Sequence, residues 1–182
     1  MKRAFMIVLI GGLSLLAILA LWAQVPQASS PAAAGISPID AFAKLKTLVG
    51  EWQGDASDKG RIMPVHVSYK MTGADSTLVE TMFPGAPHEM MTMYHLNGPG
   101  QLMLTHYCSA GNQPSMVLDP SSTPERLAFV FSSGTNMDPA TSMHMHNARI
   151  RFVDADTLET EWDMYQDGKL VDAKEFKLVR QK

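Results

Sequence analysis

Apolar residues recur every third position just after Ser37, and then at every second position almost to the end of the chain. Ile39, Phe42, Leu45 and Leu48 share one face of a helix. Ser37 is placed to cap it, Pro38 suits its first turn, and Asp40 puts negative charge near its N-terminus. Gly50 ends it. So short a helix, apolar on one side, must pack on something else.

Beyond Gly50 the period shortens. Runs of β-branched, aromatic and apolar residues predict strands near 51–56, 62–72, 76–83, 88–96, 101–108, 114–119, 126–132, 143–153, 157–166 and 170–180. Turn signals separate them, such as Gly73-Ala74-Asp75, Asn97-Gly98-Pro99-Gly100 and Asp167-Gly168-Lys169. All but one connection has hairpin length, so the sheet is antiparallel and sequential. The exception, 133–142, is polar and turn-rich and belongs at a barrel mouth. About ten strands without crossover helices leave long edges unless the sheet closes. The predicted class is all-β: an antiparallel meander of about ten strands closed into a barrel, with a short N-terminal helix. Such a barrel leaves an interior that side chains need not fill.

Alternation then orients the side chains. Arg149 and Arg151 mark one face of 143–153 as solvent, so His144, His146, Ala148, Ile150 and Phe152 point inward. In 157–166 Leu158, Thr160, Trp162 and Met164 point inward, opposite Glu159, Glu161 and Asp163. The turn between these strands could set Ala148 opposite Trp162. Met63, Val65, Val67, Tyr69 and Met71 form the inner face of 62–72, and Leu127, Phe129 and Phe131 that of 126–132. Residues 88–108 resist this reading. Met91, Met93, His95, Leu102, Leu104 and His106 fall on one face, and Met90, Thr92, Tyr94, Met103, Thr105 and Tyr107 on the other. No Lys or Arg marks either face as solvent. A hairpin apolar on both faces suggests an outer covering by a second copy or another protein.

The N-terminus has a different composition. Lys2 and Arg3 precede an uncharged run from Ala4 to Ala23, the layout of a secretory signal. The run is also long enough for a membrane anchor. Cleavage after Ala23, cleavage after Ala34 and retention as an anchor remain open. Residues 24–36 read as a linker rich in Ala, Ser, Pro and Gln, and 37–182 as one barrel domain. The chain is expected to be exported, periplasmic or extracellular, or tethered through residues 4–23. Without Lys2 and Arg3, 13 of the 15 Lys and Arg remain against 18 Asp and Glu, a balance of −5. No basic stripe points to nucleic acid. Cys108 is the one cysteine, so no intrachain disulfide can brace the domain.

The Gly50-Glu51-Trp52 step, following a helix, resembles the signature at the start of the calycin superfamily, the lipocalins and their relatives. Phe42-x-x-Leu45-x-x-Leu48-Val49 before it and Gly54 after it are more similar to the nitrobindin-like and other ten-stranded bacterial members. The resemblance implies a barrel with Trp52 packed at its closed end. It also implies haem, held in the nitrobindin-like proteins by a histidine on a late strand. The last strand here, Leu170 to Arg180, carries no histidine.

His144-Met145-His146 is the sharpest chemical feature. Two histidines two apart on a strand point the same way, a spacing that suits one metal ion. His106, His88, Glu89 or His95 could supply a third ligand, and thioether with imidazole suits copper outside the cytosol. The alternative is that Met fills irregular space and His bonds polar neighbours. Neither a Gly-x-Ser-x-Gly elbow nor a His-Glu-x-x-His pair occurs, and nothing requires an enzyme. The expected activity is binding of a small apolar or amphipathic molecule, with a wall of Tyr69, Met71, Phe129, Phe131, His144, His146, Trp162 and Met164. The rivals are a metal or haem site using His144 and His146, with His106 as a further metal ligand, and a filled barrel docking a partner through 88–108.

Overall fold

The computed structural model describes residues 35–182. The signal-like run and nearly all of the linker lie outside them. Helix α1 (Pro38–Lys46) leads into ten strands: β1 (Gly50–Asp58), β2 (Arg61–Thr72), β3 (Thr77–Met82), β4 (Met90–Leu96), β5 (Leu102–Tyr107), β6 (Gln113–Leu118), β7 (Arg126–Thr135), β8 (His144–Phe152), β9 (Thr157–Gln166) and β10 (Lys169–Arg180). Each pairs antiparallel with the next, and β10 pairs with β1, so the sheet closes into a barrel. No edge is left for another chain to extend.

The helix begins as its sequence indicates. The Ser37 side chain accepts from the Asp40 amide at 3.1 Å, satisfying one of the free N–H groups of the first turn. Ala41, Phe42 and Leu45 are buried, whereas Ile39, expected on the same face, is exposed. Trp52, buried on β1, donates its indole N–H to the Leu48 carbonyl at 2.8 Å and ties helix to barrel. The Arg180 guanidinium lies 4.3 Å from the centre of the Trp52 ring and donates to the Val49 and Thr47 carbonyls. One end of the barrel is thereby plugged.

Closure also depends on Gly54. A Cβ there would stand 1.8 Å from the Lys177 carbonyl oxygen across the β1–β10 seam, so the strands approach this closely only because position 54 has no side chain.

Most of the alternation holds. Val65, Val67, Tyr69, Leu127, Phe129, Ala148, Ile150, Leu158 and Trp162 are buried, and Ala148 faces Trp162 across the β8–β9 pair. On the outer face Arg149 binds Glu161 and Asp163, and Arg151 binds Glu159.

Two expectations need correction. In the β4–β5 hairpin the register joins Thr92 to His106, Tyr94 to Leu104 and Leu96 to Leu102. The inner face therefore combines Thr92 and Tyr94 with Leu102, Leu104 and His106, all buried. The five-residue loop Asn97–Gln101 pairs even positions with even ones, which the predicted grouping did not do. Met91, Met93, His95, Met103, Thr105 and Tyr107 form the outer stripe. The second correction is on β8. A bulge between Met145 and Asn147 pairs Met145 with Met164 and leaves His146 outside the ladder, a break in strict alternation that still sets the two imidazoles side by side, His144 Nε2 3.0 Å from His146 Nδ1.

Candidate functional site

At the end of the barrel away from α1, a cavity of about 350 Å³ opens between the last residues of β1 and β5 and the first of β4 and β8. This lies at the lower end of the range for small-molecule pockets. Six methionines line it: Met63, Met82, Met90, Met143, Met145 and Met164. Ala56, Phe83, Trp162 and Phe176 add apolar surface, and Cys108, His106, His144, Asp58 and Lys174 supply the chemistry.

The polar groups below the cavity form a connected layer. Glu80 on β3 stands beside Tyr69 on β2 and Thr92 on β4 in the strand register. Its carboxyl accepts from the Tyr69 hydroxyl at 2.7 Å and the Tyr94 hydroxyl at 2.9 Å. Burial pushes its pKa up, partly offset by the nearby hydroxyls of Tyr69, Tyr94 and Thr92. The same burial, with the carboxyl nearby, raises both tyrosines well above their ordinary value. Thr92 Oγ1 lies 3.0 Å from His106 Nδ1. The His106 ring packs on Trp162, centroids 4.9 Å apart, and burial holds its pKa down at about 4.

Among the described residues, two polar atoms at the top of this layer have no partner. His106 Nε2 and Trp162 Nε1 are buried and unbonded, in residues only 1% and 2% exposed. An unmet buried donor or acceptor costs about 1–3 kcal/mol. Both residues line the cavity.

The expected wall is partly drawn together here. His144, Trp162 and Met164 line the cavity, as does His106, expected only as a metal ligand. Tyr69 is committed to Glu80, Phe129 packs edge-on to Tyr94 in the core, and Met71 packs against the same core. Phe131 and His146 sit beside the cavity lining. The His146 ring is stacked between Phe131 at 4.8 Å and Tyr165 at 4.1 Å. His144 Nδ1 donates to the Ser142 carbonyl at 2.8 Å, so in the neutral pair its Nε2 accepts from His146 Nδ1–H at 3.0 Å. Burial and the neighbouring His144 lower the His146 pKa. The facing nitrogens are joined by a proton, so in these rotamers one ion cannot take both lone pairs. Among the described residues no group of three or more His, Cys, Asp or Glu is arranged to hold a metal.

Sequence reasoning missed Glu80 and Thr92. The signal was present: Leu78, Glu80 and Met82 occupy one face of a strand, and a carboxylate flanked by apolar residues at both second neighbours marks burial rather than solvent.

No family model matches the chain, and no curated protein matches it. Solved structures do. The Rv2717c protein of M. tuberculosis is 21% identical with a TM-score of 0.55, and the match covers 81% of this chain and 99% of that one. A protein from the DUF3598 family, from Nostoc punctiforme PCC 73102, is 13% identical with a TM-score of 0.40, covering 75% of this chain and 48% of that one. The likeness to Rv2717c supports the barrel fold and nothing finer.

Proposed function

We propose that this barrel, calycin-like in architecture, binds a small apolar or amphipathic molecule in the cavity at its open end. The observation that carries this is the pairing of an apolar chamber with two lining residues, His106 and Trp162, each of which holds a buried ring nitrogen without a partner among the described residues. Apolar contact supplies most of the affinity, and the two polar atoms orient the ligand. The charged start and uncharged run over residues 2–23 support an exported protein. Among the described residues no helix is long and apolar enough to cross a membrane.

A ligand that binds only the folded state raises its stability, by about 2.7 kcal/mol at a hundred times Kd. Melting the protein with saturating small neutral amphiphiles, octanol among them, tests the proposal. A clear rise supports it, and no rise contradicts it. A second reading, a metal held through His144 and His146, draws on the 3.0 Å approach of their rings. It requires one ring to turn. A melting rise with zinc or copper that the double substitution His144→Gln, His146→Gln abolishes would favour it. The outer stripe of Met91, Met93 and Met103 is where a partner or second copy would dock, and the oligomeric state in solution tests that role.

A further inference from the structure

We infer that the cavity prefers an aromatic ligand of one or two rings to a saturated ligand of the same size and head group. This rests on the ligand-binding reading above and adds the class of molecule that suits the wall.

The composition of the wall carries this. The buried core below is built largely from branched aliphatic side chains, among them Leu78, Leu102, Leu104, Leu127 and Leu158. Among the described lining residues there is no leucine, isoleucine or valine. Their place is taken by the six methionines and Cys108, and by the rings of Phe83, Phe176, His106, His144 and Trp162. Met63, Met90, Met145 and Met164 are half-buried, as side chains at the wall of an open chamber are. Four of the rings meet in pairs across the interior. Phe83, which follows β3, packs on Phe176 of β10 with centroids 6.4 Å apart, and His106 of β5 packs on Trp162 of β9 at 4.9 Å. The chamber is therefore walled by sulfur and π-systems rather than by hydrocarbon branches.

A thioether sulfur makes a favourable contact with an aromatic ring, often at its edge, that a saturated ring does not return. Aromatic side chains add edge-to-face or offset contacts, which also need a π-system in the ligand. Methionine has three rotatable bonds and no branch, so it can follow the outline of a flat molecule. Size sets the number of rings. A cavity of about 150 Å³ takes one benzene, so one of about 350 Å³ has room for one or two rings.

The test is a calorimetric titration of the unmodified protein at pH 7 with phenylethanol and cyclohexylethanol, which share a head group and differ only in the ring. The saturated ring has the larger apolar surface, so burial alone favours cyclohexylethanol. Phenylethanol should nevertheless bind more tightly, by on the order of threefold, as sulfur–aromatic contacts outweigh the extra apolar area. Cyclohexylethanol binding as well or better overturns the inference and leaves the ligand-binding reading standing. Binding of neither overturns the inference, and melting with octanol then judges the ligand-binding reading separately. In the triple substitution Met63→Leu, Met145→Leu, Met164→Leu, which nearly conserves volume, the preference should fall to parity or reverse. If that variant does not fold, the methionine methyl NMR signals of the unmodified protein decide. Ring-current shifts from phenylethanol should reach Met63, Met145 and Met164 and spare Met91, Met93 and Met103 on the outer stripe. A preference undiminished in the folded variant, or cavity methyls that stay in place, overturns the inference.

Discussion

Substituting His106 with Gln should flatten the acid limb of the stability curve. His106 is buried and neutral in the folded barrel, its pKa held down at about 4 from an ordinary 6.5. Between these values the unfolded chain binds a proton that the folded one refuses, so stability falls as pH falls. The contribution is complete above pH 6.5 and gone by about pH 4. Two and a half pH units at about 1.4 kcal/mol each put it on the order of 3 kcal/mol. That is a large share of the ~5–15 kcal/mol typical of a domain. Gln cannot be protonated in this range, so the variant should lose roughly that much less between pH 7 and pH 4. Urea unfolding at several pH values measures both curves. Glu80 works in the opposite sense: its raised pKa adds stability below its unfolded value that is lost as pH rises through the folded one. It is present in both proteins and largely cancels in the difference. His146, also lowered, leaves a residual slope of the same sign in both. Parallel curves would refute a buried neutral His106 and, with it, the floor of the cavity.

Glu80→Ala should cost roughly 2–5 kcal/mol, because it strands the buried Tyr69 and Tyr94 hydroxyls and opens a void. Glu80→Gln should cost far less at neutral pH, since it keeps the volume and an acceptor without the charge, and denaturant midpoints that reverse this order would contradict the network. Trp52→Ala should cost about 3–5 kcal/mol as the plug loses its bond to Leu48 and its stack on Arg180. A melting temperature within a few degrees of the parent would show that Trp52 does not hold the closed end. Gly54→Ala should destabilise by more than about 2 kcal/mol or prevent folding, because its Cβ meets backbone rather than a movable side chain; a nearly silent substitution would show that the β1–β10 seam is looser than described.

The fold was legible because its signals are local. Ser37, Pro38 and Asp40 announce the helix start, two arginines declare the outside of β8, and turn residues punctuate the meander. The site was less legible because it depends on register. A single bulged position breaks the alternation at His146, and alternation cannot foresee a bulge. The inner face of β4–β5 was hidden because neither side carries a Lys or Arg, and only the pairing of Thr92 with His106 resolves it. Glu80 passed unnoticed because a lone carboxylate in a strand usually faces water, whereas here two tyrosines on neighbouring strands meet it. Trp162 and His106 were each visible as residues, but their unmet nitrogens exist only once β5 and β9 close on the same chamber.

The claim that the cavity receives a ligand at these nitrogens is tested most directly by the indole N–H signals in a proton–nitrogen NMR titration with octanol. Trp52 is an internal control, since its N–H is already bonded to Leu48 at 2.8 Å at the opposite end of the barrel. Trp162 should shift downfield and saturate as its N–H gains an acceptor, while Trp52 stays in place. A saturating shift of Trp52 alone, or no movement of Trp162 at octanol concentrations that raise the melting temperature, would place the ligand elsewhere and contradict the account.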